Sequence, residues 1–276
     1  MPIDEAHVRR RHRWPWVALA IAVPAVVVGA AVMLMWGGRG AREASIDETV
    51  EEYRRAPGRD GSGFLQPTPG VYTYRGRGTE RLSLLGAQQQ WGSQIPGTVT
   101  ATDPGCWRFR VEYNENHAQE LDFCARPTEL VIMAGRVTQR FDFGGFTIDE
   151  GNEFVCDPPG TTVRVTARSG DSWRYSCVGR NLARDLSVRF TDTYTFLGRR
   201  RLSGREGDIE AYAYRVVRTL RGDQSGREDN ELWFSTSSGL PVRVQRDAQL
   251  KIPSMVGTVT YTERGSFTLT SVTPRE

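Results

Sequence analysis

Lysine is almost missing from this chain: Lys251 stands alone, and arginine supplies the other 35 basic side chains. The net charge is small, +3 over 276 residues, and the first 13 residues carry +2 of it through Arg9, Arg10, Arg11 and Arg13 against Asp4 and Glu5. A nucleic-acid binder concentrates positive charge on its folded part; here that part is nearly neutral, so no nucleic-acid partner is expected. Histidine is scarce as well: His7 and His12 lie in the basic tail, and His117 is the only one beyond it. With no G-x-S-x-G run and one histidine in a predicted hairpin turn, a nucleophilic triad has nothing to assemble from, and His117 reads as an ordinary exposed turn residue. The four cysteines never stand in C-x-x-C spacing, which argues against a zinc knuckle. No metal, cofactor or catalytic residue is expected. Beyond residue 55 no long helical pattern and no fixed-period repeat occurs, which disfavours alternating β-α-β architecture.

The one long apolar run spans Trp14–Trp36 without a charge. A bilayer-spanning helix needs ~20 such residues, and tryptophans at both ends suit the headgroup zones. The arginine cluster before it predicts a cytoplasmic N-terminus and an extracytoplasmic remainder at the cell membrane. A cleaved signal peptide is the rival reading. It calls for a shorter apolar core and a small-x-small cleavage site, which Met33-Leu-Met-Trp36 does not offer. The expected organisation is therefore a cytoplasmic tail 1–13, a transmembrane helix 14–36, a juxtamembrane linker 37–69 and an extracytoplasmic antiparallel β domain 70–276. Within the linker, Ser45-Ile-Asp-Glu48 forms a capping box that opens a short helix over about 46–55. Ile46, Val50 and Tyr53 share one side of it, as a docking helix or stalk would have.

From Gly70 onward short alternating runs such as Val71-Tyr-Thr-Tyr74 and Thr162-Val-Arg-Val-Thr166 are separated by Gly, Pro, Asn and Asp. Many short strands with turn signals predict an all-β sheet or barrel. One hairpin can be set in register. Pairing residues whose numbers sum to 230 puts Trp107 opposite Phe123 and Phe109 opposite Leu121 on one face. Arg108 then meets Asp122, and Arg110 meets Glu120, on the other. Apolar and charged pairs sort onto separate faces, and a one-residue slip would bury charge. The same register opposes Cys106 to Cys124, so a Cys106–Cys124 disulfide is expected. Cys156–Cys177 follows by elimination, in a compartment where disulfides persist.

Other candidates read as ordinary structure. Asp149, Glu150, Glu153 and Asp157 form the densest acidic cluster; they could serve a glycosidase or hold calcium, but a solvated loop is preferred. Arg221-Gly-Asp223 is turn chemistry. Phe141, Phe143, Phe146 and Trp233 are the candidate ligand-lining residues, against the plainer reading of a core face.

Glu231-Leu-Trp-Phe-Ser-Thr-Ser-Ser-Gly-Leu-Pro-Val-Arg243 resembles the hairpin of LolA-like proteins, a superfamily that includes lipoprotein carriers, LppX/LprG-type lipoproteins and RseB/MucB-type regulators. The resemblance implies a concave antiparallel half-barrel, often apolar inside. Gly105-Cys-Trp107, Tyr113-Asn-Glu-Asn-His117, Phe154-Val-Cys-Asp-Pro-Pro159, Gly170-Asp-Ser-Trp173 and Glu231-Leu-Trp-Phe234 together resemble uncharacterised actinobacterial signal-anchored proteins. The functional expectation is a membrane-anchored, non-enzymatic binding domain for a lipid, lipoprotein or envelope component. The alternative is a protein-interaction or sensor module with a filled core.

Overall fold

The computed structural model describes residues 41–55, 64–83, 86–142, 147–182, 184, 186–204, 207–254 and 257–275. The tail 1–13, the apolar run 14–36, the linker glycines 37–40 and the second linker 56–63 lie outside the described residues. Among the described residues no helix is long and apolar enough to cross a membrane.

Among the described residues one helix, α1 (Ile46–Arg55), precedes thirteen strands. They are β1 (Gly70–Leu82), β2 (Gln88–Gln90), β3 (Gln94–Ala101), β4 (Cys106–Asn114), β5 (His117–Arg126), β6 (Glu129–Asp142) and β7 (Thr147–Arg164). Then come β8 (Ser172–Asn181), β9 (Ser187–Gly204), β10 (Gly207–Gly222), β11 (Ser225–Ser235), β12 (Pro241–Ser254) and β13 (Gly257–Leu269). Neighbours in sequence pair as antiparallel hairpins from β3 to β13. The long first strand then closes the ring. β1 pairs with β3 through Gly70–Arg75, with β2 through Thr79–Arg81, and with β13 through Tyr74–Leu82. Twelve strands thus form a closed barrel, with β2 a short additional piece on the β3 side of β1. The expected mainly-β fold with two disulfides is present. Of the two forms expected for the sheet, half-barrel or barrel, the structure takes the barrel: pairing of β1 with β13 leaves no concave open edge, and closure satisfies the backbone groups that an edge would expose.

The helix forms as its sequence dictates. The Glu48 N–H donates to Ser45 Oγ at 3.3 Å, capping the first turn. Ile46, Val50 and Tyr53 bury against Val71 on the outside of the barrel, and Arg275 pairs with Asp47 at 2.7 Å. The arm before the helix is tied down as well: Arg42 N–H and Nε donate to the Glu115 carboxylate at 2.9 and 2.8 Å.

The β4–β5 register is as expected from Cys106↔Cys124 to Glu112↔Ala118, after which a bulge at Tyr113 shifts it to Asn114↔His117. Both disulfides form, Cys106–Cys124 and Cys156–Cys177. Arg108–Asp122 and Arg110–Glu120 pair on the outer face at 2.7 and 2.5 Å.

The interior is divided along the barrel axis. Toward the end where β4, β10 and β12 begin, large rings and aliphatic side chains fill the space: Tyr74, Trp107, Phe109, Phe123, Tyr214, Phe234 and Phe267 are essentially solvent-free. Tyr74 OH donates to the Pro241 carbonyl at 2.8 Å, and Trp107 Nε1 to the Leu65 carbonyl at 3.2 Å. The other end, where those strands finish, is not filled. Replacing Cys106 and Cys124 together with alanine is expected to lower the unfolding free energy by about 3 kcal/mol. Urea denaturation of the variant against the oxidised wild type measures it.

Candidate functional site

Strands around one sector of the barrel each carry a charged side chain at an inward position of a largely apolar series. On β9 it is Asp192 between Phe190 and Tyr194; on β10, Arg218 between Val216 and Leu220. On β11 it is Glu228, on β12 Arg246 after Val244, on β13 Glu263 between Tyr261 and Phe267, and on β1 Glu80 before Leu82. These side chains form a belt. Arg218 donates twice to Asp192, at 2.7 and 2.9 Å, and lies 4.0 Å from Glu228. Arg246 reaches Glu228 at 3.6 Å and Glu263 at 3.3 Å, and donates to Tyr113 OH at 3.0 Å.

Glu80 ends the belt and is its most buried member, with no exposure. It is positioned by an unusual piece of backbone. Gly78 on β1 faces Gly265 on β13, and the Trp91 ring lies against both. A Cβ on Gly78 would sit 2.3 Å from the ring, and one on Gly265 2.5 Å. The bare glycine pair lets the indole lie flat and brings Trp91 Nε1 2.8 Å from Glu80 Oε1. The same oxygen meets His117 Nδ1 at 2.6 Å. Gln89 and Gln139 donate to Oε2 at 2.8 and 2.5 Å. Burial pushes the Glu80 carboxyl up, but the His117 ring and the two amides outweigh it and hold it below the ordinary carboxylate range. Glu263 goes the other way: burial raises it above the ordinary value despite Arg246 and His117. Glu228, also buried, is pulled down by Arg218 and Arg246 against its own desolvation.

Above the belt lies a cavity of about 470 Å³, open at the end where β1, β6, β10 and β12 finish. Its floor is His117, Gln139, Arg218, Glu228, Arg246 and Glu263, and its walls are mostly apolar, among them Val137, Phe141, Phe154, Leu220 and Leu250, with Asp149, Glu150, Glu153 and Arg184 also on the lining. This is the size and make-up of a small-molecule site: mostly apolar, with a few convergent polar groups.

Of the expected lining residues, Phe141 faces this cavity. Phe143 and Phe146 lie outside the described residues. Trp233 is placed elsewhere: its indole stacks with Arg243 at 5.3 Å and donates to Glu231 Oε1 at 2.7 Å, and it borders none of the cavities described. His117 is the main correction. It is 2% exposed, not a surface turn residue. The bulge beside Tyr113 makes Asn114 its partner, so Glu115 and Asn116 form the turn and His117 begins a strand, its ring 4.5 Å from that of Tyr113. The acidic cluster is corrected too. Asp149, Glu150, Glu153 and Asp157 lie along strand β7, where Glu150 pairs with Arg184 and Glu153 with Arg180 at 2.5 Å, so they do not converge on one ion. Arg221-Gly-Asp223 closes the β10–β11 turn, with Asp223 accepting from Ser187 N–H at 2.7 Å.

Glu80, Glu263, Arg246, Arg218 and Asp192 were not foreseen as site residues. The available signal was a charge at an inward position of a period-two apolar run, as in Val259, Tyr261, Glu263, Gly265, Phe267.

No family model matches the chain, and no curated protein matches it. Among solved structures, the hypothetical lipoprotein YmcC from Escherichia coli (K12) is similar at 12% identity and a TM-score of 0.36, over 80% of this chain and 98% of that one. At that distance nothing about ligand or activity is carried across.

Two outcomes test the site. Gly265→Ala drives a methyl into the Trp91 ring and is expected to destabilise by about 1–3 kcal/mol, read by urea denaturation. The pH dependence follows from Glu228, whose folded pKa lies below its unfolded one. The unfolded chain therefore binds more protons in acid, and this contribution is full above the unfolded value of about 4.3 and lost as pH falls through the folded pKa. Thermal midpoints are expected to fall more steeply between about pH 5 and pH 3 in the wild type than in Glu228→Gln.

Proposed function

We propose that this chain is a membrane-anchored, non-enzymatic envelope protein whose barrel binds one small amphipathic lipid, its apolar part along the walls and its polar end on the charged floor. The observation that carries the reading is the one-sided interior. One half of the barrel is filled by large rings apart from a cavity of about 80 Å³, while the other keeps a cavity of about 470 Å³ with mostly apolar walls above a fixed polar belt. A filled interaction module has no use for such a space.

The direction of the mouth supports a lipid. Arg42, held to Glu115 in the β4–β5 turn, lies at the open end of the barrel. It stands six positions after Trp36, the end of the apolar run, and six steps of extended chain reach at most about 22 Å. If 14–36 crosses the bilayer, the mouth is held close to the membrane surface, where a lipid enters or leaves. The likeness of the β11–β12 hairpin to that of LolA-like proteins accords with the same reading. A hydrolase using the Glu80 and Glu263 carboxylates is less well supported: the Glu80 oxygens already meet four partners, which leaves none free for a substrate.

Val137, half-buried on the cavity wall, has room for a larger side chain only by occupying the ligand space. Full-length protein purified from membranes is expected to carry a lipid-sized mass in native mass spectrometry. Val137→Trp is expected to lose at least about 90% of it while keeping its thermal midpoint within a few degrees. A wild type that stays free of lipid, even after incubation with extracted envelope lipids, would sink the proposal.

A further inference from the structure

The belt alternates in sign until its last step. From β9 to β13 it runs Asp192, Arg218, Glu228, Arg246, Glu263, each carboxylate beside a guanidinium. The next strand is β1, and there the alternation fails. Glu80 is the direct cross-strand partner of Glu263, and both side chains are buried. Like charges directly opposite in a sheet repel, and inside a barrel solvent does little to screen them. Four carboxylates share two guanidiniums in this belt. The shortfall is concentrated at the Glu80–Glu263 step.

The hydrogen bonding at that step is uneven. Glu80 meets a donor at every acceptor position, Trp91 and His117 on Oε1, Gln89 and Gln139 on Oε2. Glu263 faces Arg246 through Oε2, but its Oε1, fully buried, meets no hydrogen-bond donor among the described residues. His117 gives Nδ1 to Glu80, and no hydrogen bond engages its Nε2 among the described residues. One ligating atom from each of Glu80, His117 and Glu263 lies within 4.8 Å of the other two.

We propose that His117 Nε2 and Glu263 Oε1 bind one divalent transition-metal ion of the zinc type. Glu80 does not ligate it. Its oxygens are already engaged, and it acts as the outer carboxylate that accepts Nδ1–H and thereby leaves Nε2 free to coordinate, the usual support of a metal-bound imidazole. The mixed nitrogen and carboxylate donor set suits zinc, and the imidazole disfavours calcium and magnesium. Two positive charges restore the alternation between Glu263 and Glu80. Both ligating residues border the cavity. The metal site goes beyond the lipid-binding reading and does not depend on it.

The test uses the full-length chain without an affinity tag, stripped with chelator and carrying His7→Ala and His12→Ala, so that His117 is its sole imidazole. Zinc chloride alone is titrated by calorimetry, and the loaded protein is examined by zinc X-ray absorption. One equivalent is expected to bind, with imidazole scattering in the absorption spectrum, a signature that needs no substitution in the barrel interior. Glu263→Gln and Glu80→Gln are each expected to weaken binding by about 10–100-fold, and His117→Gln to abolish it. No saturable binding by folded protein, a spectrum without imidazole, or affinity unchanged in folded His117→Gln and Glu263→Gln would each overturn the proposal. Lipid retention in native mass spectrometry is scored separately and stands or falls without the metal.

Discussion

The pairing of β1 with β13 is the constraint on which the rest depends. It closes the barrel and removes the last two sheet edges. It also sets which side chains share the interior seam: Tyr74 with Leu269, Gly78 with Gly265, Glu80 with Glu263, Leu82 with Tyr261. A one-residue slip would turn all of these outward and bring Arg75, Arg77 and Arg81 into the core. The seam then dictates the site. The two glycines admit Trp91, Trp91 holds Glu80, and Glu80 holds His117.

A buried belt of charge is an expensive way to fill a barrel. Desolvating each ion costs several kcal/mol, and replacement by apolar residues is often neutral or stabilising. Packing therefore gives no reason for Asp192, Arg218, Glu228, Arg246, Glu263 and Glu80 to line one sector of an interior whose other side chains are largely apolar. What the belt does provide is a floor. Arg218 lies 4.0 Å over the Phe190 ring as well as on Asp192, and Arg246 is held by Tyr113 and Gln119 as well as by carboxylates. Side chains fixed from several directions do not collapse into the space above them. The cavity persists because its floor is preorganised, and preorganised polar groups lower the ordering cost of binding.

Much of the fold is legible in the sequence, and the reason is local. The β4–β5 register follows from sorting charged and apolar residues onto opposite faces, and it yields the Cys106–Cys124 bridge directly. The α1 helix follows from Ser45 and the spacing of Ile46, Val50 and Tyr53. Closure is not legible in this way, since β1 and β13 are separated by nearly the whole β domain and nothing in either run names the other. The site fails for the same reason. Glu80 and Glu263 become neighbours only through closure, and His117 becomes buried only because a bulge at Tyr113 moves it from turn to strand. A histidine next to Asn-Glu-Asn reads as exposed by every local rule.

The bulge links the lower barrel to the mouth. Below it, strict alternation on β4 sends Trp107, Phe109, Val111 and Tyr113 inward against Phe123 and Phe267. Had the register continued unbroken, Tyr113 would face His117 directly and the turn would widen by a residue. Instead Asn114 takes that place, its amide donates to the Gln90 carbonyl at 2.9 Å, and its side-chain oxygen accepts from Asn116 N–H at 2.8 Å. The tight turn presents Glu115 to Arg42 on the outside while His117 reaches Glu80 on the inside. One extra residue in a strand therefore fixes both the docking of the N-terminal arm at the mouth and the ring that faces the cavity, a use of bulges beside functional sites that sheet geometry favours.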